Sequence, residues 1–161
     1  MRLSVDAAEA GATRLMIWPP DFFPTGADSV VAHLSRIAEA AGLPIILQDV
    51  PQSPIPPSLA LRIADAVPLV DTIKVETQPT VEQVRAMVEA AGSRLTVLGG
   101  AGGGTIVEEY RRGGRGTMPF ASQSRDFMRV WSALVEGDEE LAETVIEDSS
   151  RHFPDHLAQL I

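Results

Sequence analysis

Five short runs of apolar and β-branched residues recur along the chain, each followed by a stretch with apolar positions three and four apart. The runs are Arg14–Trp18, Pro44–Val50, Val70–Glu76, Leu95–Gly99 and Gly116–Ala121. Strand and helix alternating at intervals of 21 to 30 residues is the pattern of an all-parallel sheet with crossover helices. The first helical stretch lines up Val30, Val31, Leu34, Ile37 and Ala41, opened by a Thr25-x-x-Asp28 capping box and closed by Gly42. The second covers about Ser58 to Val67, after Pro56-Pro57. The third, Thr80 to Ala91, opens on Thr80-x-x-Gln83, buries Val81, Val84, Met87 and Val88, and ends at Gly92. The fourth, Thr105 to Arg112, carries a Thr105-x-x-Glu108 box. Two more follow, about Ser124–Glu136 with Phe127, Val130, Trp131 and Leu134, and Glu139–His152 with Leu141, Val145 and Ile146.

Two parallel architectures compete, a doubly wound open sheet and a (β/α)8 barrel. Strands of an open sheet tend to be apolar on both faces. Val70-Asp71-Thr72-Ile73-Lys74-Val75-Glu76 instead alternates: Thr72, Lys74 and Glu76 share one face, Ile73 and Val75 the other. A polar strand face must point somewhere polar, and the catalytic end of a barrel interior is such a place. The expected fold is therefore α/β, a partial (β/α)8 TIM barrel of about five parallel βα units plus C-terminal helices. A full barrel has eight strands and about 250 residues, whereas this chain has 161, read as one domain over residues 1–161. Met1–Ala12 reads as the tail of a helix, and Pro154–Ile161, with Leu157, Leu160 and Ile161, as the opening turn of another. The chain reads as a truncated barrel lacking its N-terminal strands.

A formal charge of −9 argues against nucleic-acid and anionic-membrane partners, both of which select for basic patches. No apolar run approaches the roughly 18 residues of a membrane span. The opening Met1–Asp6 is not followed by the apolar stretch of a secretory signal, so a cytoplasmic enzyme is expected. Cysteine is absent, which excludes disulfides, thiolate metal sites and a cysteine nucleophile. His33, His152 and His156 are scattered, and Pro154 breaks the helical face that would pair the last two, so no metal site is expected.

The basic residues are twelve arginines and one lysine, Lys74. Arginine supplies surface charge, but its guanidinium stays protonated and cannot form an imine. A lysine near a barrel strand's catalytic end is partly desolvated, and desolvation makes an amine nucleophilic toward a carbonyl. Glu76, roughly 7 Å along the strand, opposes that effect unless it is neutral or paired elsewhere. The bland alternative is a structural Lys74–Glu76 pair.

Ile45-Ile46-Leu47-Gln48-Asp49-Val50-Pro51, with Thr72-Ile73-Lys74-Val75-Glu76-Thr77 starting 27 residues after Ile45, resembles the dihydrodipicolinate synthase / N-acetylneuraminate lyase family. Gly11-Ala12, Pro19-Pro20 with Phe22-Phe23, Gly99-Gly100 and Gly113-Gly114-Arg115-Gly116-Thr117-Met118 fall in matching order. The resemblance spans the chain as the fourth to eighth strands of the barrel. It implies a class I aldolase or hydro-lyase acting on pyruvate or another 2-oxo acid, with Lys74 as the Schiff-base lysine. It also implies Gln48 as a catalytic-site residue that orients substrate. Thr72 and Glu76 line the pocket, Gly100 and Met118 wall it, no cofactor is needed, and members are commonly homo-oligomers. Gln48-Asp49 stands where the family has a tyrosine before an asparagine, and an amide cannot act as a general acid near neutral pH. Ser53 lies near the place of the family's carboxylate-binding arginine, and its Gly-Thr-Thr-Gly-Glu loop is not in the sequence.

A rival reading is a catalytically inactive remnant acting as an assembly or binding piece, because missing strands leave sheet edges that pair with other chains. A nucleotide-binding open sheet ranks last; it predicts an apolar surrounding for Lys74 and a helix N-terminus aimed at a phosphate. Leu98–Thr105 lacks the P-loop lysine and reads as a plain βα loop. Arg111, Arg112 and Arg115 read as a solvated turn, and Trp18 and Trp131 as packing residues.

Overall fold

A computed structural model of the chain describes residues 1–20 and 26–152. Thr25 of the first capping box, and the Pro154–Ile161 turn with His156, lie outside them. Four parallel strands form one sheet in sequence order: β1 (Leu15–Ile17), β2 (Ile45–Asp49), β3 (Val70–Val75) and β4 (Thr96–Gly99). Helix α1 (Arg2–Glu9) precedes β1, and α2 (Ala27–Ala41), α3 (Pro57–Ala66) and α4 (Thr80–Ala91) are the crossovers. Then come α5 (Ile106–Arg111), α6 (Ser124–Glu136) and α7 (Glu139–His152).

The period-two pattern decides which way each strand faces. Leu15, Ile45, Leu47, Ile73, Val75 and Val97 pack in one apolar cluster with Val30, Leu34 and Ile37 of α2, Ala60 and Ile63 of α3, and Val84 and Met87 of α4. Removing each large side chain from water contributes about 1.5–3 kcal/mol, so this layer positions the strands. The opposite face carries Met16 and Trp18, half exposed at 46% and 50%, with Gln48, Thr72, Lys74 and Leu98. Trp18 is thus not the packing residue expected. Trp131 is one: its ring meets Tyr110 edge-on at 5.6 Å beside a second cluster of Ile106, Val107, Phe127, Val130 and Leu134.

The fifth run, Gly116–Ala121, is not a continuous strand. It lies parallel beside β4, joined through one bridge, Gly99 to Thr117, with Gly99 donating to the Gly116 carbonyl and Met118 to that of Gly99. Gly116, at a φ of 142°, and Pro119, which has no N–H to donate, limit the ladder there.

Two expected caps are also absent. Pro79, not Thr80, caps α4, and the Thr80 hydroxyl turns to Thr105 Oγ1 at 3.1 Å. Thr105 caps α5 by position only, since its hydroxyl donates to Glu109 Oε1 at 2.7 Å. Arg111 leaves the solvated role expected of it and bonds Glu139 and Glu143, tying α5 to α7.

Candidate active site

Lys74 stands one residue before the end of β3, paired in register with Gln48 on β2 and Leu98 on β4. Its side chain is 10% exposed, and Nζ lies 2.9 Å from Glu76 Oε1. The polar face expected from alternation is therefore real. Its amine is not in an apolar surround, which removes the feature required by the nucleotide-binding alternative.

Glu76 is the hub. Besides the amine, its Oε1 accepts the Ala101 N–H at 3.1 Å, and its Oε2 accepts Gln48 Nε2 at 2.7 Å. Burial pushes the Glu76 carboxyl up, but the bonds from Gln48, Lys74 and Ala101 outweigh it and hold the group below its ordinary value. Gly100 makes this packing possible: a Cβ there would overlap Glu76 Cγ and lie 2.8 Å from its Cδ. The structure thus joins four of the expected residues, Lys74, Gln48, Glu76 and Gly100. Met118 is partly buried beside the end of β4, where its N–H bonds Gly99.

Thr72 is a different case. It lies two residues back along β3, and its hydroxyl donates to Asp71 Oδ1 at 2.7 Å and accepts from Arg14 at 3.3 Å. Arg14 grips Asp71 through both carboxylate oxygens, at 2.6 and 2.7 Å. That hydrogen bond, with burial opposing it, holds the Asp71 carboxyl low. The Thr72 hydroxyl is therefore engaged by Asp71 and Arg14.

Asp49 points off the Gln48 face, as alternation requires, and is 3% exposed. Its carboxylate accepts the Ile55 N–H (2.8 Å), the Thr77 N–H (3.0 Å), the Thr77 hydroxyl (2.8 Å) and, at 3.3 Å, the Glu76 N–H. It clamps the loops leaving β2 and β3, and so fixes the backbone that carries Glu76.

Glu109 belongs to no motif that marks it in the sequence. It is 1% exposed on α5, and its Oε2 has no hydrogen-bond partner among the described residues. Burial raises its pKa, against hydrogen bonds from Thr105 and Thr80 and with a smaller contribution from the charge of Glu108. A Cβ on Gly99 would overlap that free oxygen. The only signal in the sequence was an acid at the inward position of a short helix behind a glycine-ended strand.

The model of the dihydrodipicolinate synthetase family matches residues 1–159. The chain belongs to that family. It is 30% identical to the 4-hydroxy-tetrahydrodipicolinate synthase of Halorhodospira halophila over 91% of its own length, and 28% identical to that of Psychrobacter arcticus over 95%. It spans about half the length of these curated relatives, 50% and 51%. Among solved structures, the 4-hydroxy-tetrahydrodipicolinate synthase of Methylacidiphilum fumariolicum superposes with a TM-score of 0.85 at 22% identity, covering 97% of this chain and 53% of that one. A prophage protein of the dihydrodipicolinic acid synthase family from E. coli, solved in complex with pyruvate, superposes at 0.82 and 22%, covering 91% and 51%. These structural matches establish the architecture: the four-stranded parallel sheet with its helices is part of a TIM barrel. Among the described residues, no helix is long and apolar enough to cross a membrane.

Proposed function

We propose that the chain is a Schiff-base-forming lyase or hydro-lyase of the dihydrodipicolinate synthase type, in which Lys74 condenses with the carbonyl carbon of pyruvate or another 2-oxo acid. The observation that carries this reading is the single lysine amine, buried near the C-terminal end of a parallel strand and held by Glu76, which Gln48 and Ala101 hold in turn. Loss of the ammonium proton gives the nucleophile; the amine adds to the carbonyl, and water leaves to form the imine. Gln48 Nε2 orients the substrate, and Gly100, packed against Glu76, and Met118, at the end of β4, form walls of its pocket. Thr72 contributes through the strand and not through a contact with substrate. Family membership and the pyruvate complex of the E. coli relative support the substrate class.

The test is reductive trapping. Purified chain is incubated with pyruvate and borohydride, and the adduct is mapped by peptide mass. An adduct confined to Lys74, absent from Lys74→Arg while that variant keeps its stability within about 1 kcal/mol, supports the reading. No adduct from folded protein refutes it for this chain.

A second reading, an assembly or binding piece that forms homo-oligomers, draws on one observation: Met16 and Trp18 are half exposed on the same sheet face as the site. A defined oligomer in sedimentation, with no trapped adduct, would favour it.

A further inference from the structure

We infer that the Glu76 carboxylate is an internal substitute for the carboxylate of a 2-oxo acid, competing with that substrate for the seat beside Lys74. This rests on the imine-forming reading of Lys74 and adds a determinant of which carbonyl compounds the amine can reach.

Three donors from three strand ends converge on one carboxylate: Lys74 Nζ, the Ala101 N–H and Gln48 Nε2. The floor beneath it is Gly100, where any side chain would collide. Ala101 adopts a φ of 49°, a region that residues with a side chain seldom enter. Its N–H in that conformation points at Glu76. Two amides, an ammonium and a glycine floor are what a small anionic ligand would need, and Glu76 already occupies them.

Distance makes the competition direct. In the imine of a 2-oxo acid the carboxylate sits one carbon from the imine carbon, which by ordinary bond lengths puts an oxygen about 2.7–2.9 Å from the lysine nitrogen. Glu76 Oε1 stands 2.9 Å from Nζ. Two carboxylates drawn to the same amine and the same two amide donors cannot both remain ionised and in place. A charged 2-oxo acid must therefore displace Glu76, whereas a neutral carbonyl compound of the same shape can leave it there and donate to it. A carboxylate held by three donors is also a weak base, so these contacts suit Glu76 to filling a seat and not to carrying protons.

The measurement is the concentration dependence of borohydride-trapped adduct at Lys74, using pyruvate and its uncharged isostere pyruvamide on the wild type and on Glu76→Gln. A seat open only a tenth of the time weakens apparent affinity tenfold. Glu76→Gln is expected to lower the half-saturating pyruvate concentration about tenfold, and to lower the ratio of the pyruvate value to the pyruvamide value by a similar factor. The wild type is expected to trap pyruvamide at lower concentration than pyruvate, a comparison that needs no variant. Wild-type preference for pyruvate overturns the inference, as does an unchanged or raised pyruvate requirement in Glu76→Gln. Absence of adduct from either compound on either protein instead overturns the imine reading itself, and this inference with it.

Discussion

Gly99→Ala offers a sharp test of how the site is supported. The new methyl would land on Glu109 Oε2. Gly99 lies within β4 and outside the left-handed region, so alanine suits the local backbone and the cost falls on the neighbour. Glu109 is 1% exposed and has no solvent to swing into. To make room, its carboxyl must leave the 2.7 Å hydrogen bond from Thr105. Overpacking of this kind costs about 1–3 kcal/mol, and a buried hydrogen bond lost adds about 1–3 kcal/mol. The expected loss is about 4 kcal/mol, the middle of that sum. Glu109→Ala alone leaves a cavity but removes an unpartnered oxygen, for a net cost of about 1–2 kcal/mol. In the double variant the methyl enters the vacated space, so stability should return close to that of Glu109→Ala. The two changes then couple by about 4 kcal/mol in the stabilising sense, far above the few tenths seen for independent sites. Urea unfolding followed by far-UV circular dichroism on the four proteins measures this. Additivity within about 0.5 kcal/mol would show that Gly99 is not glycine on account of Glu109.

Two further outcomes are expected. Asp49→Asn keeps the shape but replaces an acceptor oxygen with an NH2 among four donating contacts. It should cost about 2–4 kcal/mol in urea unfolding, and a loss below about 0.5 kcal/mol would mean that the loops hold without the clamp. Glu109→Gln should alter the pH dependence of stability. Burial raises the folded-state pKa above the ordinary 4.5, so the contribution of Glu109 is fully present below the unfolded value and is lost as pH rises through the folded one. As pH rises from 4.5 over the range in which the protein stays folded, the wild type should lose ground relative to the variant, which lacks that titration. A wild-type–variant difference that stays constant across this range, read from urea midpoints, would refute the assignment.

Much of the fold was legible because it rests on periodicity. Apolar spacing located α4 at Thr80–Ala91, α6 at Ser124–Glu136 and α7 at Glu139–His152, the spans observed. Alternation put Lys74 of β3 and Glu76, the residue just after that strand, on one face and turned Asp49 away from Gln48. Thr80 and Thr105 were misread for a physical reason: a hydroxyl near a helix start has several acceptors within reach, and here Thr105 and Glu109 compete with the backbone. The fifth run was overextended because an apolar composition cannot reveal how far a ladder persists past a left-handed glycine and toward a proline.

The sequence by itself determined the parallel α/β plan, the uniqueness of Lys74 and its shared strand face with Glu76, because backbone period and residue type are local properties. Only the tertiary structure decided what that face does. Ala101 and Gly100 meet Glu76 only because β4 lies beside β3, and Gln48 reaches it only because β2 lies on the other side. Thr72 was drawn instead to Arg14 and Asp71, and Glu109 was sealed behind Gly99. Each depends on residues roughly 10 to 58 positions apart, brought together by the burial of the strands' apolar faces against α2, α3 and α4.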